Sequence, residues 1–250
     1  MRICPTALLL ALPVLLTALS QPAAAQPAPQ PLERQALEQE VLREGDDVAA
    51  HLTLARQYRA EGSHALAIAV LERAQQRQPA NEDVLEQLGY TLIESGDYPQ
   101  AVAIFDMLTA INHESEAGFN GKAVAFDKAG NHTAAQELYE RALTINPNAA
   151  IVVNNLALSY ILDQKPDLAI SLLEPWIEKN NAPAAMRHNL ALAYGISGKT
   201  AKARALNLEV MSEKEADANQ AFYERYAQMM KDEQRQVLAT QATRRPDKED

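Results

Sequence analysis

Two six-residue strings, Asn155-Leu-Ala-Leu-Ser-Tyr160 and Asn189-Leu-Ala-Leu-Ala-Tyr194, differ at one place and lie 34 residues apart. A fixed period of that length constrains a fold strongly, because each copy must be one small unit that buries its apolar face on the next. Extended along the chain, the register gives units beginning at Val48, Glu82, Glu116, Ala150 and Ala184. The eighth position of each unit reads Ala55, Gly89, Ala123, Ala157, Ala191, and the twentieth reads Ala67, Ala101, Ala135, Ala169, Ala203. Small side chains at both places let two antiparallel helices of one unit approach closely.

Larger residues fill the space beside them. Position 11 carries Tyr58, Leu92, Phe126, Tyr160 and Tyr194, position 7 carries Leu54, Leu88, Lys122, Leu156 and Leu190, and position 24 carries Leu71, Phe105, Tyr139, Leu173 and Asn207. Position 15 reads Gly62, Gly96, Gly130, Gln164 and Gly198, which marks the turn between the two helices, since glycine accepts the positive φ that ends many helices. Pro79 and Pro147 at position 32 stop second helices, and Pro99 and Pro166 stand where second helices begin and a missing N–H costs nothing. Two departures carry expectations. Lys122, in an apolar place, is expected to run outward, and Pro175 is expected to end or kink the second helix of the fourth unit. Aromatic residues make up only 5% of the chain while alanine and leucine supply most of the apolar mass, which suits helices throughout.

The small-8, aromatic-11, Ala-20, Pro-32 signature resembles the tetratricopeptide repeat (TPR) family over residues 48 to about 211. The resemblance implies an all-α TPR superhelix (α-solenoid) of five units, 48–81, 82–115, 116–149, 150–183 and 184–217, with the first helix of each pair lining a concave face. A solenoid needs a cap over each end of its core. Residues 26–47 read as a Pro-rich leader and N-terminal capping helix, 218–239 as a C-terminal capping helix and 240–250 as a disordered tail. The helix is predicted over Ser212 to Leu238, with Phe222, Tyr226, Met229 and Met230 on one apolar stripe.

Residues 1–25 read as a signal peptide. Arg2 is the only charge, Ala7 to Leu19 is apolar apart from Pro13, and Ala23-Ala24-Ala25 offers the small residues a peptidase needs. Cleavage is placed between Ala25 and Gln26, and the run is too short for a membrane span. The expected product is exported and periplasmic, with no stable membrane anchor. The only cysteine, Cys4, would leave with the leader, taking with it any disulfide, thiol nucleophile or lipid attachment site. Losing Arg2 leaves 22 Lys and Arg against 33 Asp and Glu, a formal charge of −11, which disfavours nucleic acid.

Chemistry is scarce. His51, His64, His113, His132 and His188 show no i, i+4 pair and no His-Glu-x-x-His, so no metal site, cofactor or catalytic residue is assigned. His64 and His132, both at position 17, read as exposed or capping residues. Ala193 to Thr200 fits a relaxed phosphate-loop pattern, but Gly198-Lys199-Thr200 falls on the recurring inter-helix turn, with no strand before it. Nucleotide binding there is the weakest functional alternative. Asn131-His132-Thr133 is formally a glycosylation sequon.

The family resemblance places positions 2, 5, 6, 9, 12 and 13 on the groove. It thereby nominates Asn120, Asp127, Lys128, Asn154, Asn155, Leu158, Ile161, His188, Asn189 and Leu192 as a peptide- or protein-binding set. Asparagine side chains donate to and accept from a peptide backbone at once, whereas the apolar members favour a hydrophobic or helical ligand, or the C-terminal helix folded back with Phe222 and Tyr226. The segments Asn155 to Tyr160, Pro166 to Pro175 and Arg187 to Arg204 further resemble the TadD group of TPR proteins from tight-adherence (Flp) pilus assembly, over about residues 150 to 225. That resemblance implies a non-catalytic envelope scaffold that assembles or localises a pilus or secretion system. The members of that group are often lipoproteins, so a chain without a suitably placed cysteine reads as a soluble member. The alternative is a general periplasmic chaperone adaptor that binds peptides.

Overall fold

A computed structural model describes residues 38–39, 48–179 and 182–243, the last helix with side chains to Met229 and at Asp232. The expected signal peptide, almost all of the leader segment and residues 244–250 lie outside the described residues. Among the described residues there is no strand, and eleven helices follow one another. They are α1 (Val48–Ala60), α2 (His64–Arg77), α3 (Glu82–Ser95), α4 (Tyr98–Ile111), α5 (Glu116–Lys128), α6 (His132–Ile145), α7 (Ala150–Leu162), α8 (Pro166–Glu178), α9 (Ala184–Ile196), α10 (Thr200–Leu208) and α11 (Glu213–Thr243). First helices start at 48, 82, 116, 150 and 184 and second helices at 64, 98, 132, 166 and 200, so both series keep the 34-residue step read from the sequence. The fold is an all-α repeat solenoid.

The same turn recurs five times. Position 15 has positive φ at Gly62, Gly96, Gly130, Gln164 and Gly198. The N–H of position 16 reaches back to the carbonyl of position 11, as in Ser63 to Tyr58 at 2.7 Å, Asp97 to Leu92 at 2.9 Å and Lys199 to Tyr194 at 2.8 Å. That pair of features is the Schellman ending of a helix. Gln164 alone holds the left-handed conformation with a side chain, at φ 59°. Such a residue is strained by about 1–2 kcal/mol, partly offset in a glycine by greater freedom of the unfolded chain. Gln164→Gly is therefore expected to stabilise the protein by about 0.5–1 kcal/mol, read as a higher midpoint in urea, and a lower midpoint would contradict it.

The chain divides into two compact units, with the boundary between Ser159 and Tyr160, inside α7. In the unit that ends at Ser159, successive helices α1 to α5 pack in sequence, α5 packs on α6, and α3 touches α1 and α5. Positions 20 and 24 are sealed in every second helix here, at Ala67, Ala101 and Ala135 and at Leu71, Phe105 and Tyr139. Phe105 shows what the small residues are for. A Cβ on Gly89 would stand 2.5 Å from its ring and one on Gly121 2.2 Å away, so α3 and α5 close on either side of the ring only because both positions lack a side chain. Caps fix the helix starts: Asn81, Asp97, Ser115 and Asn131 each accept an N–H from three residues on. Lys122 runs outward as its aliphatic stem allows, to Asp106.

In the unit that begins at Tyr160, α8 packs on α9, α9 on α10, and α11 on both α9 and α10. The helix α8 does not end at Pro175 but continues to Glu178. Proline removes one hydrogen bond, to the carbonyl of Ser171, and both Ser171 and Pro175 are exposed, so water can take that carbonyl. The helix α11 reaches Thr243, beyond the expected end near 239. Its buried residues, among those described, are Ala216, Tyr223 and Tyr226. Phe222, expected on the buried stripe, is half-buried and stacks on Tyr226 at 6.2 Å.

Tyr223 lies 34 residues after Asn189 and so occupies the next copy of position 6. Its ring sits against Gly195, where a Cβ would come within 2.2 Å, and its hydroxyl meets Asn207 of α10 at 3.4 Å. The helix α11 thus takes the place of a further first helix. In that register positions 7, 8 and 11, apolar in most earlier units, are Glu224, Arg225 and Gln228, all three exposed. Polar residues there solvate the face that a second helix would cover, which is how a repeat array ends. Gly195→Ala is expected to loosen α11 at a cost of about 1–3 kcal/mol, seen as faster amide exchange over 213–229; unchanged exchange would contradict this packing.

Candidate functional site

The stripes that matter run along α3 and α5. Glu86, Tyr90 and Glu94 are spaced by four on α3, and Asn120, Val124 and Lys128 by four on α5, so each trio shares one helix face. The two stripes are joined, because Asn120 Nδ2 donates to the Tyr90 hydroxyl at 3.0 Å. Asn155 of α7 continues the file by donating from Nδ2 to Asn120 Oδ1 at 3.1 Å. Tyr90 also packs edge-on against Phe105, with ring centroids 5.3 Å apart. Burial and the Glu86 carboxylate push its hydroxyl well above the ordinary tyrosine range, with Asn120 opposing.

One turn further along α5, Asp127 forms a second knot. Its Oδ1 accepts from Ser159 Oγ of α7 at 2.8 Å and lies 2.8 Å from Nδ1 of His132 at the start of α6. The carboxylate is almost fully enclosed, with the side chain 1% exposed. Burial first, and then this carboxylate, push the Tyr139 hydroxyl well upward. His132 is therefore not the exposed or capping residue expected from its position: Asn131 is the cap, and His132 turns back across the loop to the carboxylate. His64 at the equivalent place is half-buried and approaches Glu94 at 3.7 Å.

Of the nominated groove residues, the structure joins Asn120 to Asn155 and sets Lys128 beside Asp127. Asn154 and Asn189 are buried and partnered, and Leu158, Ile161 and Leu192 are buried. His188 is half-buried, and burial lowers its pKa against the opposing bond to the Ala184 backbone. Residues outside the nominated set complete the polar file: Glu86 and Tyr90 at positions 5 and 9 of the second unit, and Ser159 at position 10 of the fourth. The register marks the first two. Ser159 shows no signal in the sequence, since its role depends on how α7 lies against α5.

Gly198-Lys199-Thr200 is the fifth copy of the inter-helix turn. The helix α9 precedes it, Gly198 has φ 83°, and the Lys199 ammonium pairs with Asp167 at 2.9 Å. Among the described residues no three His, Cys, Asp or Glu side chains converge as metal ligands, and no described helix is long and apolar enough to cross a membrane.

Residues 58–123 match one tetratricopeptide repeat family and residues 120–183 match a second. The chain is a tetratricopeptide repeat protein. As in other TPR arrays, its repeats support a protein–protein interaction scaffold. Its sequence is 33% identical over 115 residues to the uncharacterized protein y4yS of Sinorhizobium fredii, covering 43% of this chain and 63% of that relative's length. A TPR protein of Parabacteroides merdae superposes with a TM-score of 0.63 at 14% identity, over 76% of each chain. A thermophilic TPR protein of Thermus thermophilus gives 0.56 at 22% identity, over 72% of this chain and 97% of the other. YrrB, described as a TPR protein with an unusual peptide-binding site, gives 0.53 at 14% identity, over 77% and 97%. At these identities the structural likenesses speak for the TPR fold alone.

Proposed function

We propose that this TPR protein is a non-catalytic scaffold of a bacterial cell envelope that holds a segment of a partner polypeptide along its first helices and helps assemble or localise a pilus or secretion system. The observation that carries the binding role is the way the file Tyr90–Asn120–Asn155 ties the first helices of three consecutive repeats together, beside half-buried charge. Its groups are spent on one another, so what they supply is a rigid face, and a preorganised face loses little freedom when a polypeptide docks on it. The envelope location is supported by the apolar run Ala7 to Leu19 and the small residues at 23–25. The pilus role is supported by the resemblance of residues 150 to 225 to the TadD group.

Expression in a Gram-negative host with an affinity tag at the C-terminus tests both parts. The expected result is a periplasmic product whose N-terminal residue is Gln26, and capture from that fraction of pilus or secretion components. An unprocessed cytoplasmic product would overturn the envelope reading. A processed product that captures envelope proteins of other kinds would overturn the pilus reading alone.

A further inference from the structure

The first helices of the unit ending at Ser159 match most of their half-buried charges with partners. Arg59 forks onto Glu94 through Nε at 2.8 Å and Nη2 at 2.6 Å, and reaches Gln87 through Nη1 at 2.6 Å. Asp127 has His132 and Ser159, Lys122 has Asp106, and Glu116 has Asn146. Among the described residues two half-buried charges on these helices have no hydrogen bond or ion pair, Glu86 and Lys128. They are of opposite sign and lie on the two stripes that the Asn120–Tyr90 bond joins.

Each is held at a cost. Burial, then Asp83 and Glu116, raise the Glu86 carboxyl against the pull of Arg59, whose guanidinium is already committed to Glu94. Burial lowers the Lys128 ammonium, and Asp127 opposes that only in part. A charge taken partly out of water without a partner destabilises the fold that carries it. Two such charges of opposite sign on one surface are complementary to a partner that brings both signs.

Their spacing sets the partner's spacing. The two first helices are offset by about a turn, since Glu116 at position 1 of α5 is among the charges acting on Glu86 at position 5 of α3, and Tyr90 at position 9 meets Asn120 at position 5. Lys128 stands twelve residues after Glu116, about 18 Å along the helix, and neighbouring helices stand about 9 Å apart. The charges are therefore about 20 Å apart, a distance an extended chain covers in about six residues. We propose that the face formed by α3 and α5 takes an extended peptide bearing a lysine or arginine opposite Glu86 and, about six residues away, an aspartate or glutamate opposite Lys128. This rests on the reading that the first helices hold polypeptide, and it names the chemistry of what they hold.

The test uses the full-length chain and fluorescein-labelled synthetic peptides of Gly, Ser and Asn carrying one Lys and one Glu six places apart, in both orders. Companion peptides have Gln in place of either charge or both. Anisotropy at low salt is expected to show one order binding about a hundredfold tighter than the double-Gln peptide, about tenfold from each charge-assisted contact. Glu86→Gln is expected to erase the gain from the peptide's Lys alone, and Lys128→Gln the gain from its Glu alone. Equal binding of charged and neutral peptides would overturn this proposal and leave the first-helix reading standing. Binding of no peptide would overturn both. The comparison among peptides needs no variant, so a variant that fails to fold does not blunt it.

Discussion

Phe105→Ala is expected to remove about 3–5 kcal/mol of stability, seen as a large fall in the urea midpoint of the helical signal. The ring is completely enclosed and sits where α3 and α5 come close enough to touch it without side chains of their own, at Gly89 and Gly121. Backbone lines both sides of the resulting cavity, and backbone collapses poorly into a void. Tyr90, which packs its edge on Phe105, would lose the support that holds its hydroxyl at Asn120. The substitution should therefore also weaken whatever the first helices bind. A loss below about 1 kcal/mol, typical of a site that relaxes fully, would mean that the close approach of the two helices does not depend on this ring.

Asp127→Ala is expected to be the next most severe, about 2–4 kcal/mol, because it strips the enclosed Ser159 hydroxyl and the His132 ring nitrogen of the acceptor they share. Here the carboxylate ties three helices at once, through His132 of α6 and Ser159 of α7 as well as its own α5. Asp127→Asn keeps the shape and an acceptor for Ser159 but loses the charge facing His132, so a smaller loss is expected. The comparison of Ala with Asn in the same denaturant series separates the charge from the hydrogen bonds. Equal losses in the two variants would show that the hydrogen bonds alone contribute nothing beyond the charge, and a loss from neither would remove the knot from the account.

The repeat is legible in the sequence because its cause is steric and local. Small residues at positions 8 and 20 and glycine at 15 recur at a fixed step, and helix starts at 48, 82, 116, 150 and 184 follow from that step alone. Position 6 shows where such reasoning stops. Its asparagines are readable as a file, but Asn155 spends its amide on Asn120, a residue of the preceding unit. Whether a polar side chain faces a ligand or its neighbour depends on the tilt of one helix against the next, which no single-residue pattern encodes. His132 makes the same point, since its turn toward Asp127 is set by the loop geometry around Gly130. In the last helix the buried aromatics are Tyr223 and Tyr226 because the Gly195 slot selects residue 223, and that slot is visible only once α9 and α11 lie together. Pro175 reads as a helix end by a rule that holds in helix interiors, and the rule fails near an exposed C-terminus where solvent takes the freed carbonyl.

The central claim is that partners are held on the first helices rather than on the outer faces of the second. Site-specific photocrosslinking tests it directly, with the crosslinker placed at Ile151 on the first helix of the fourth repeat or at Met107 on a second helix, exposed at 57% and 39% respectively. The account predicts that a captured partner crosslinks strongly from position 151 and not from 107. Crosslinks from 107 with none from 151 would place binding on the second helices and contradict it.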